Sequence, residues 1–252
     1  MQGDYAKQYG DLQHWHWWFR GRQRVIESIL RHEVDPASSL NILSVGCGPA
    51  EGLEWLVPFA GPKGKVVGLD RDPIHVRRLP EFAEFIIGTL ESVPLASASF
   101  DVVLALDVLE HLDDDISGLH EAARIVKPGG LLLITVPALP SLWGGQDVVS
   151  EHRRRYTRRS LSRLFSAARL PNCRLQYFNT LLFPLVASVR WPRRALGLGN
   201  RQRSDAEDNH PGLINDTLAW IFGAESYFIN YAPTPIGVSL VARYRPPNGS
   251  AD

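Results

Sequence analysis

Between residues 40 and 136 the hydrophobic positions fall into short unbroken runs, separated by helix-like or turn-forming stretches. Continuous apolar runs bounded by turn signals suit strands buried on both faces. Residues 41–45, 65–69, 85–87, 100–106 and 131–136 read as strands one to five. Residues 51–59 and 73–79 read as helices. So do 116–126, where Leu119, Ala122, Ala123 and Val126 recur at helical spacing. Lys127-Pro128-Gly129-Gly130 is expected to stop that helix and turn the chain into strand five. The alternation predicts an α/β fold, a parallel sheet with helices on both faces.

The pattern loosens downstream. A helix is expected over 158–168, with Leu161, Leu164, Phe165 and Ala168 on one face, and a strand over 174–178. Residues 180–189 are apolar and interrupted by Pro184. Residues 201–210 read as a polar surface loop, 216–228 as helical, 236–244 as the last strand, and 246–252 as a disordered tail. The whole chain, 1–252, reads as one domain. Residues 1–39 form N-terminal lid helices and 40–136 a cofactor-binding core. Residues 137–245 form a substrate-side half with an apolar helical insertion.

Composition narrows the class. A hydrophobic content of 44% with 21% charged residues is that of a soluble globular protein, and zero formal net charge opposes non-specific nucleic-acid binding. Cys47 and Cys173 stand far apart, with neither a disulfide framework nor zinc spacing, which suits a reducing cytoplasm. Met1–Tyr5 lacks a basic-then-apolar signal pattern, and no apolar run is long enough for a membrane span.

The most informative chemistry lies where strand one ends. Ile42-Leu43-Ser44-Val45 runs into Gly46-Cys47-Gly48-Pro49-Ala50-Glu51-Gly52. A glycine turn between a strand and a helix offers backbone N–H groups to a ligand at the mouth of a parallel sheet. Val66-Val67-Gly68-Leu69 ends in Asp70, placed to accept from ribose hydroxyls. A dinucleotide fold wants G-x-G-x-x-G. Here the order is Gly46-x-Gly48-x-x-x-Gly52, with Glu51 where the third glycine would stand. An acid there repels a pyrophosphate and tolerates a cation. The bland alternative is a tight turn that holds no ligand.

This stretch resembles motif I of the class I S-adenosylmethionine-dependent methyltransferases, of the type 11/23-like group. Phe100-Asp101-Val102-Val103-Leu104-Ala105-Leu106-Asp107 is similar to motif IV, and Lys127-Pro128-Gly129-Gly130 to the lead-in of the fifth strand. The resemblance implies a Rossmann-like fold: a mostly parallel seven-stranded sheet with an antiparallel last strand. It implies S-adenosyl-L-methionine as cofactor, cradled by Gly46, Cys47, Gly48 and Gly52. Asp70 and Arg71 would lie at the ribose, Thr89 and Leu90 at the adenine, and Leu106 against the cofactor. Thr89 departs from the usual acid. Arg24, or Arg20, would pair with the methionine carboxylate, and Asp107 would open into the reaction cleft.

Three further stretches bear on chemistry. Asp107-Val108-Leu109-Glu110-His111 is similar to an E-x-x-E-H stretch that binds a divalent metal in some ubiquinone-pathway O-methyltransferases. Asp107 and Glu110 would share a face if a helix began at once. A site also needs converging ligands, so no metal is expected, and Asp107, Glu110 and His111 stand as the ligand set to test. In Ser150–Thr157, His152 is a candidate general base, with an ordinary pKa of ~6.5, and Tyr156 is placed to orient a substrate oxygen. The alternative is a loop histidine beside solvated arginines. Arg153, Arg154, Arg155, Arg158, Arg159 and Arg163 suit a phosphate or carboxylate. An RNA patch is disfavoured by the neutral chain and the lack of a stacking array. The aromatics Trp15, Trp17, Trp18 and Phe19 suggest a lid with a cation–π face, or simple packing of an N-terminal helix. Residues 180–191 are too short to span a bilayer. They suit core first, then an apolar pocket or a peripheral membrane contact.

The sequence therefore predicts a methyltransferase acting on an oxygen of a small, apolar or isoprenoid-like acceptor. The rivals are a nicotinamide-dependent oxidoreductase and a non-catalytic cofactor-binding scaffold.

Overall fold

The computed structural model describes residues 12–35, 37–76, 80–197 and 211–248. The strands are β1 Asn41–Val45, β2 Lys65–Asp70, β3 Ala83–Ile87, β4 Phe100–Leu106, β5 Val126–Pro137, β6 Arg174–Phe178 and β7 Ser239–Tyr244. They form one sheet in the order β3-β2-β1-β4-β5-β7-β6, mostly parallel with the last strand antiparallel. The α-helices are α1 Trp17–Glu33, α2 Val57–Ala60, α3 Asp115–Ile125, α4 Gly145–Val149, α5 Arg158–Ala167, α6 Phe183–Ala195 and α7 Leu213–Gly223.

The chain separates into two compact units. Unit 1 comprises Met1–His32, Pro137–Arg158 and Gln176–Leu240; unit 2 comprises Glu33–Val136, Arg159–Leu175 and Val241–Asp252.

In unit 2, β1 lies between β2 and β4 and pairs with both in parallel, Val45 opposite Leu69 and Ala105. The continuous apolar runs are buried along nearly their whole length, as strands covered on both faces must be. Helix α3 buries Gly118, Leu119, Ala122 and Ile125. Its start is fixed by Asp114, whose carboxylate accepts from the N–H groups of Ile116 and Ser117.

Three local expectations are corrected. The helix expected over 51–59 is a 3-10 turn, Ala50–Leu56, followed by the short α2. Pro58 has no N–H to return to Glu54, and the Val57 N–H bonds to the Glu54 carbonyl instead, three residues back. Lys127-Pro128-Gly129-Gly130 is not a loop before β5 but a bulge within it. The pairing jumps from Phe100–Val126 to Val102–Leu131. Lys127 pins the bulge through Nζ, 2.8 Å from both carboxylate oxygens of Asp101, which also accepts from the Asn41 N–H. The tail is anchored where it begins, since the Gly129 N–H donates to the Pro246 carbonyl at 2.9 Å. The expectations for 77–79, 201–210 and 249–252, and for the N-terminal five residues, lie outside the described residues.

In unit 1, α1 meets α7 at Gly21. A Cβ there would stand 2.4–2.6 Å from the ring and Cβ of Phe222, so only glycine admits that ring. Asn215 ties the two helices further. Its Oδ1 accepts from the Trp17 N–H and its amide donates to the Trp15 carbonyl. Pro184 does not interrupt the apolar stretch after residue 180 but opens α6 in its first turn, where its missing N–H costs nothing. Leu182 and Ala187 are buried and Phe183 and Val186 pack against a core cluster, whereas Leu181, Leu185, Val189 and Trp191 are exposed, so the stretch is core on one face only. No helix among the described residues is long and apolar enough to cross a membrane.

Candidate functional site

The order of the strands locates a crevice. From β1 the sheet continues to β2 and β3 on one side and to β4 and β5 on the other. Open α/β sheets bind ligands at such a switch point, beyond the carboxyl ends of the strands. The glycine turn leaves β1 there and Asp107 leaves β4. Gly46 and Cys47 donate their N–H groups to the Leu69 carbonyl at 2.7 and 3.3 Å, strapping the turn to the end of β2. Gly46 has φ +60°, and a Cβ on it would lie 2.7 Å from Val108 Cγ2. The backbone thus passes where no side chain fits. Gly52 closes the following 3-10 turn by donating to Pro49.

Asp70 is the anchor of this turn. Its carboxylate accepts from the Gly48 N–H at 2.8 Å and the Asp72 N–H at 3.0 Å, and His75 Nδ1 lies 3.3 Å away. Burial alone would raise the Asp70 pKa. The bonds from His75, Asp72 and Gly48 outweigh it and hold the carboxyl below its ordinary value, so it is an anion at neutral pH. The Cys47 thiol is pushed up, by burial and then by the Asp70 charge, and stays protonated. The Gly88 N–H donates to the Asp70 carbonyl at 3.0 Å and brings in the loop after β3, where Thr89 bridges Ser92 and Leu90 is buried. Leu106 is half-buried at the end of β4, and Arg71 is exposed.

Asp107 has φ +59°, and its N–H donates to the Thr135 carbonyl. A 3-10 turn, Leu109–His111, follows in place of an immediate helix, so Asp107 and Glu110 do not share a helical face. Among the described residues no cluster of three candidate metal ligands includes Asp107.

Unit 1 holds the other candidates. Asp147, fully buried, receives the Gly144 N–H at 2.8 Å, Arg155 Nε at 2.7 Å and His152 Nδ1 at 2.9 Å, with Arg190 Nη1 at 3.5 Å. Glu151 at φ +58° turns the chain so that His152 returns onto Asp147, and the His152 N–H bonds to the Asp147 carbonyl. Burial would raise the Asp147 pKa. The His152 bond and the charges of Arg155 and Arg190 drive it well below the carboxylate range instead. The Asp147 carboxylate thus fixes the orientation of the His152 ring through Nδ1. Tyr156 is buried, its backbone paired with Pro137 and Leu139. Arg24 is exposed on α1, its stem against Gly223, and Arg20 pairs with Asp216. The cation over the Trp18 ring is the protein's own Arg22, 4.4 Å from the ring centre.

Comparison with known proteins decides what the crevice belongs to. Residues 43–134 match the methyltransferase-domain family. A probable S-adenosylmethionine-dependent methyltransferase of Mycolicibacterium smegmatis is 33% identical over 134 residues, 52% of this chain and 49% of that protein. A ubiquinone biosynthesis O-methyltransferase of Methylobacterium is 35% identical over 104 residues, 38% and 41% of the two chains. Residues 43–134 are a methyltransferase domain, similar to that of S-adenosylmethionine-dependent methyltransferases. One chain of a solved Haloferax volcanii complex containing the Trm112 methyltransferase activator shares the fold. It is 16% identical, covers 99% of this chain and 97% of its own, and has a TM-score of 0.61. The chain spans about half the length of the curated relatives it matches.

The methyltransferase domain fits its cofactor on structural grounds. The turn leaves no room for a side chain at Gly46, and an anionic carboxylate stands at the tip of β2. Asp147 escaped the sequence reading. Its signal, an acid five residues before a histidine and eight before an arginine, follows no helical or strand period.

Proposed function

We propose that the protein transfers a methyl group from S-adenosylmethionine to an oxygen of a small-molecule acceptor. The observation that carries the cofactor half is Asp70, held as an anion by the N–H groups of Gly48 and Asp72 at the switch point. The cofactor supplies a methyl group already activated on a sulfonium. In this reading Gly46–Gly48 admit it closely, Asp70 accepts from its ribose, and the loop at Thr89 and Leu90 flanks its adenine. What remains for the protein is alignment and, for a hydroxyl acceptor, removal of a proton. His152 Nε2 takes that proton while Asp147 holds the ring and balances the charge. Tyr156 orients the acceptor oxygen, and Asp107 contributes polarity at the end of β4. The similarity to a ubiquinone biosynthesis O-methyltransferase supports oxygen as the accepting atom.

Calorimetry with S-adenosylhomocysteine and NADH tests the reading. The wild type should bind the first and not the second. Asp70→Ala should lose about 1.5–3 kcal/mol of affinity, the range for a hydrogen bond to a charged group. Unchanged affinity in Asp70→Ala would remove the ribose assignment, and NADH binding alone would remove the cofactor.

A further inference from the structure

Helix α6, in unit 1, has two apolar faces. The inner one is core: Ala187 is buried with Leu142 and Val238, and Phe183 and Val186 pack against them. Arg190 also serves the interior, donating to the Leu142 carbonyl at 2.8 Å. On the outer side, Leu185, Val189, Pro192 and Leu196 follow one another at four, three and four residues, which sets them in one stripe. All four are exposed, Leu185 to 52%, Val189 to 42% and Leu196 to 73%. A surface helix ordinarily turns polar residues outward, so an apolar outer stripe marks a contact surface.

Charge selects what that surface meets. Between Glu151 and Asp205 the sequence holds thirteen arginines and no acid, in a chain whose formal net charge is zero. Arg155 and Arg190 meet Asp147, and Arg174 meets Glu33, yet α6 itself offers no carboxylate on either face. Arg193 is exposed beside the stripe. Charge asymmetry of this kind points to a nucleic acid or an anionic membrane. A nucleic acid would meet the arginine and leave leucine and valine uncovered. A second copy seated stripe to stripe would cover them and bring Arg193 no carboxylate from the helix. An anionic lipid surface does both, with hydrocarbon for the stripe and phosphates for the arginine. At 13 residues α6 cannot cross a bilayer, so it would lie in the plane of the interface.

We propose that α6 is an interfacial anchor, which lays Leu185, Val189, Pro192 and Leu196 into the surface of an anionic bilayer with Arg193 at the headgroups. The contact is independent of the methyl-transfer reading above.

Co-sedimentation of the full chain with vesicles tests it, using phosphatidylcholine alone and phosphatidylcholine containing phosphatidylglycerol. The anionic vesicles should bind at least fivefold tighter, and the difference should shrink as salt is raised. Leu196→Ser should weaken binding to the anionic vesicles about tenfold or more, as loss of a buried leucine does, and Leu185→Ser should act in the same direction. Arg193→Gln should weaken binding to the anionic vesicles about fivefold and leave binding to phosphatidylcholine unchanged. All three side chains are exposed, and an unaltered thermal melt with unaltered S-adenosylhomocysteine binding confirms that each variant folds. No binding to the anionic vesicles, equal binding to both kinds, or full binding in both leucine variants overturns the proposal. A dimer that Leu196→Ser dissociates, in a protein that ignores vesicles, assigns the stripe to a second copy and overturns it as well.

Discussion

Replacing Asp147 by asparagine removes one negative charge from a fully buried position without changing its shape. The amide oxygen can still receive the Gly144 N–H. What is lost is the anion shared by Arg155, His152 and, at longer range, Arg190. Hydrogen bonds to charged groups contribute about 1.5–3 kcal/mol each. These share one carboxylate and are not additive. Removing one partner of a buried pair costs about 3–5 kcal/mol, because the other charge stays buried without it. The isosteric amide leaves no cavity, which places Asp147→Asn near the lower end, at about 3 kcal/mol. Urea unfolding followed by tryptophan emission reads this directly, since every tryptophan except Trp55 lies in unit 1. With a slope of about 1–3 kcal/mol per molar urea, the midpoint should fall by about 1–3 M. The pH dependence supplies the sign. The folded-state pKa of Asp147 is depressed, so its contribution is complete above the unfolded value of ~3.9 and is lost as pH falls below it. The gap between wild type and Asp147→Asn should therefore close in acid, while other carboxylates cancel from the difference. A loss below about 1 kcal/mol at pH 7, or a gap that stays constant down to pH 3, refutes this account.

Gly46→Ala places a side chain at positive φ and 2.7 Å from Val108 Cγ2. It should cost about 1–2 kcal/mol of stability and at least tenfold in S-adenosylhomocysteine affinity, read by thermal melt and calorimetry. Gly21→Ala gains about 1 kcal/mol in helix propensity but meets Phe222 at 2.4–2.6 Å. Overpacking of that kind costs about 1–3 kcal/mol, so the net change in the urea midpoint should be downward; an upward shift would show that the ring yields. Burial raises both thiols, Cys173 to about 12 and Cys47 still further. Native protein at pH 8 should label slowly with a thiol-reactive disulfide, and denatured protein should label fully at both positions.

The apolar runs of β1, β2 and β4 were legible because strands buried on both faces leave a continuous signal, and β6 is bounded as its sequence suggests. The bulge at Lys127–Gly130 was not. Pro128 and two glycines look the same whether they end an element or kink one, and only the pairing of Phe100 and Val102 with Val126 and Leu131 tells the two apart. Helix α6 misled for a different reason. Its apolar residues read as core, which holds for Ala187 and for Phe183 and Val186 packed beside it, but periodicity carries no information about whether anything covers the face of Leu185 and Val189. At the site, Gly46, Gly48 and Asp70 were legible because turn chemistry is local. Asp147 was not, because its partners come from three separate segments, at Gly144, His152–Arg155 and Arg190.

The two carboxylates are organised in different ways. Asp70 is organised largely by backbone: the Gly48 and Asp72 N–H groups bond it, and the Gly88 N–H bonds its carbonyl. Apart from His75, such a site needs glycine at the turn and an acid at the strand tip, and little else of its neighbours' side chains. It can persist while most of the sequence changes, and it lies within the matched residues 43–134. Asp147 is organised by side chains, those of His152, Arg155 and Arg190, and all of them lie outside that span. On the proposed function, the residues that meet an acceptor are therefore sought at Asp147, His152 and Tyr156, outside the matched residues 43–134.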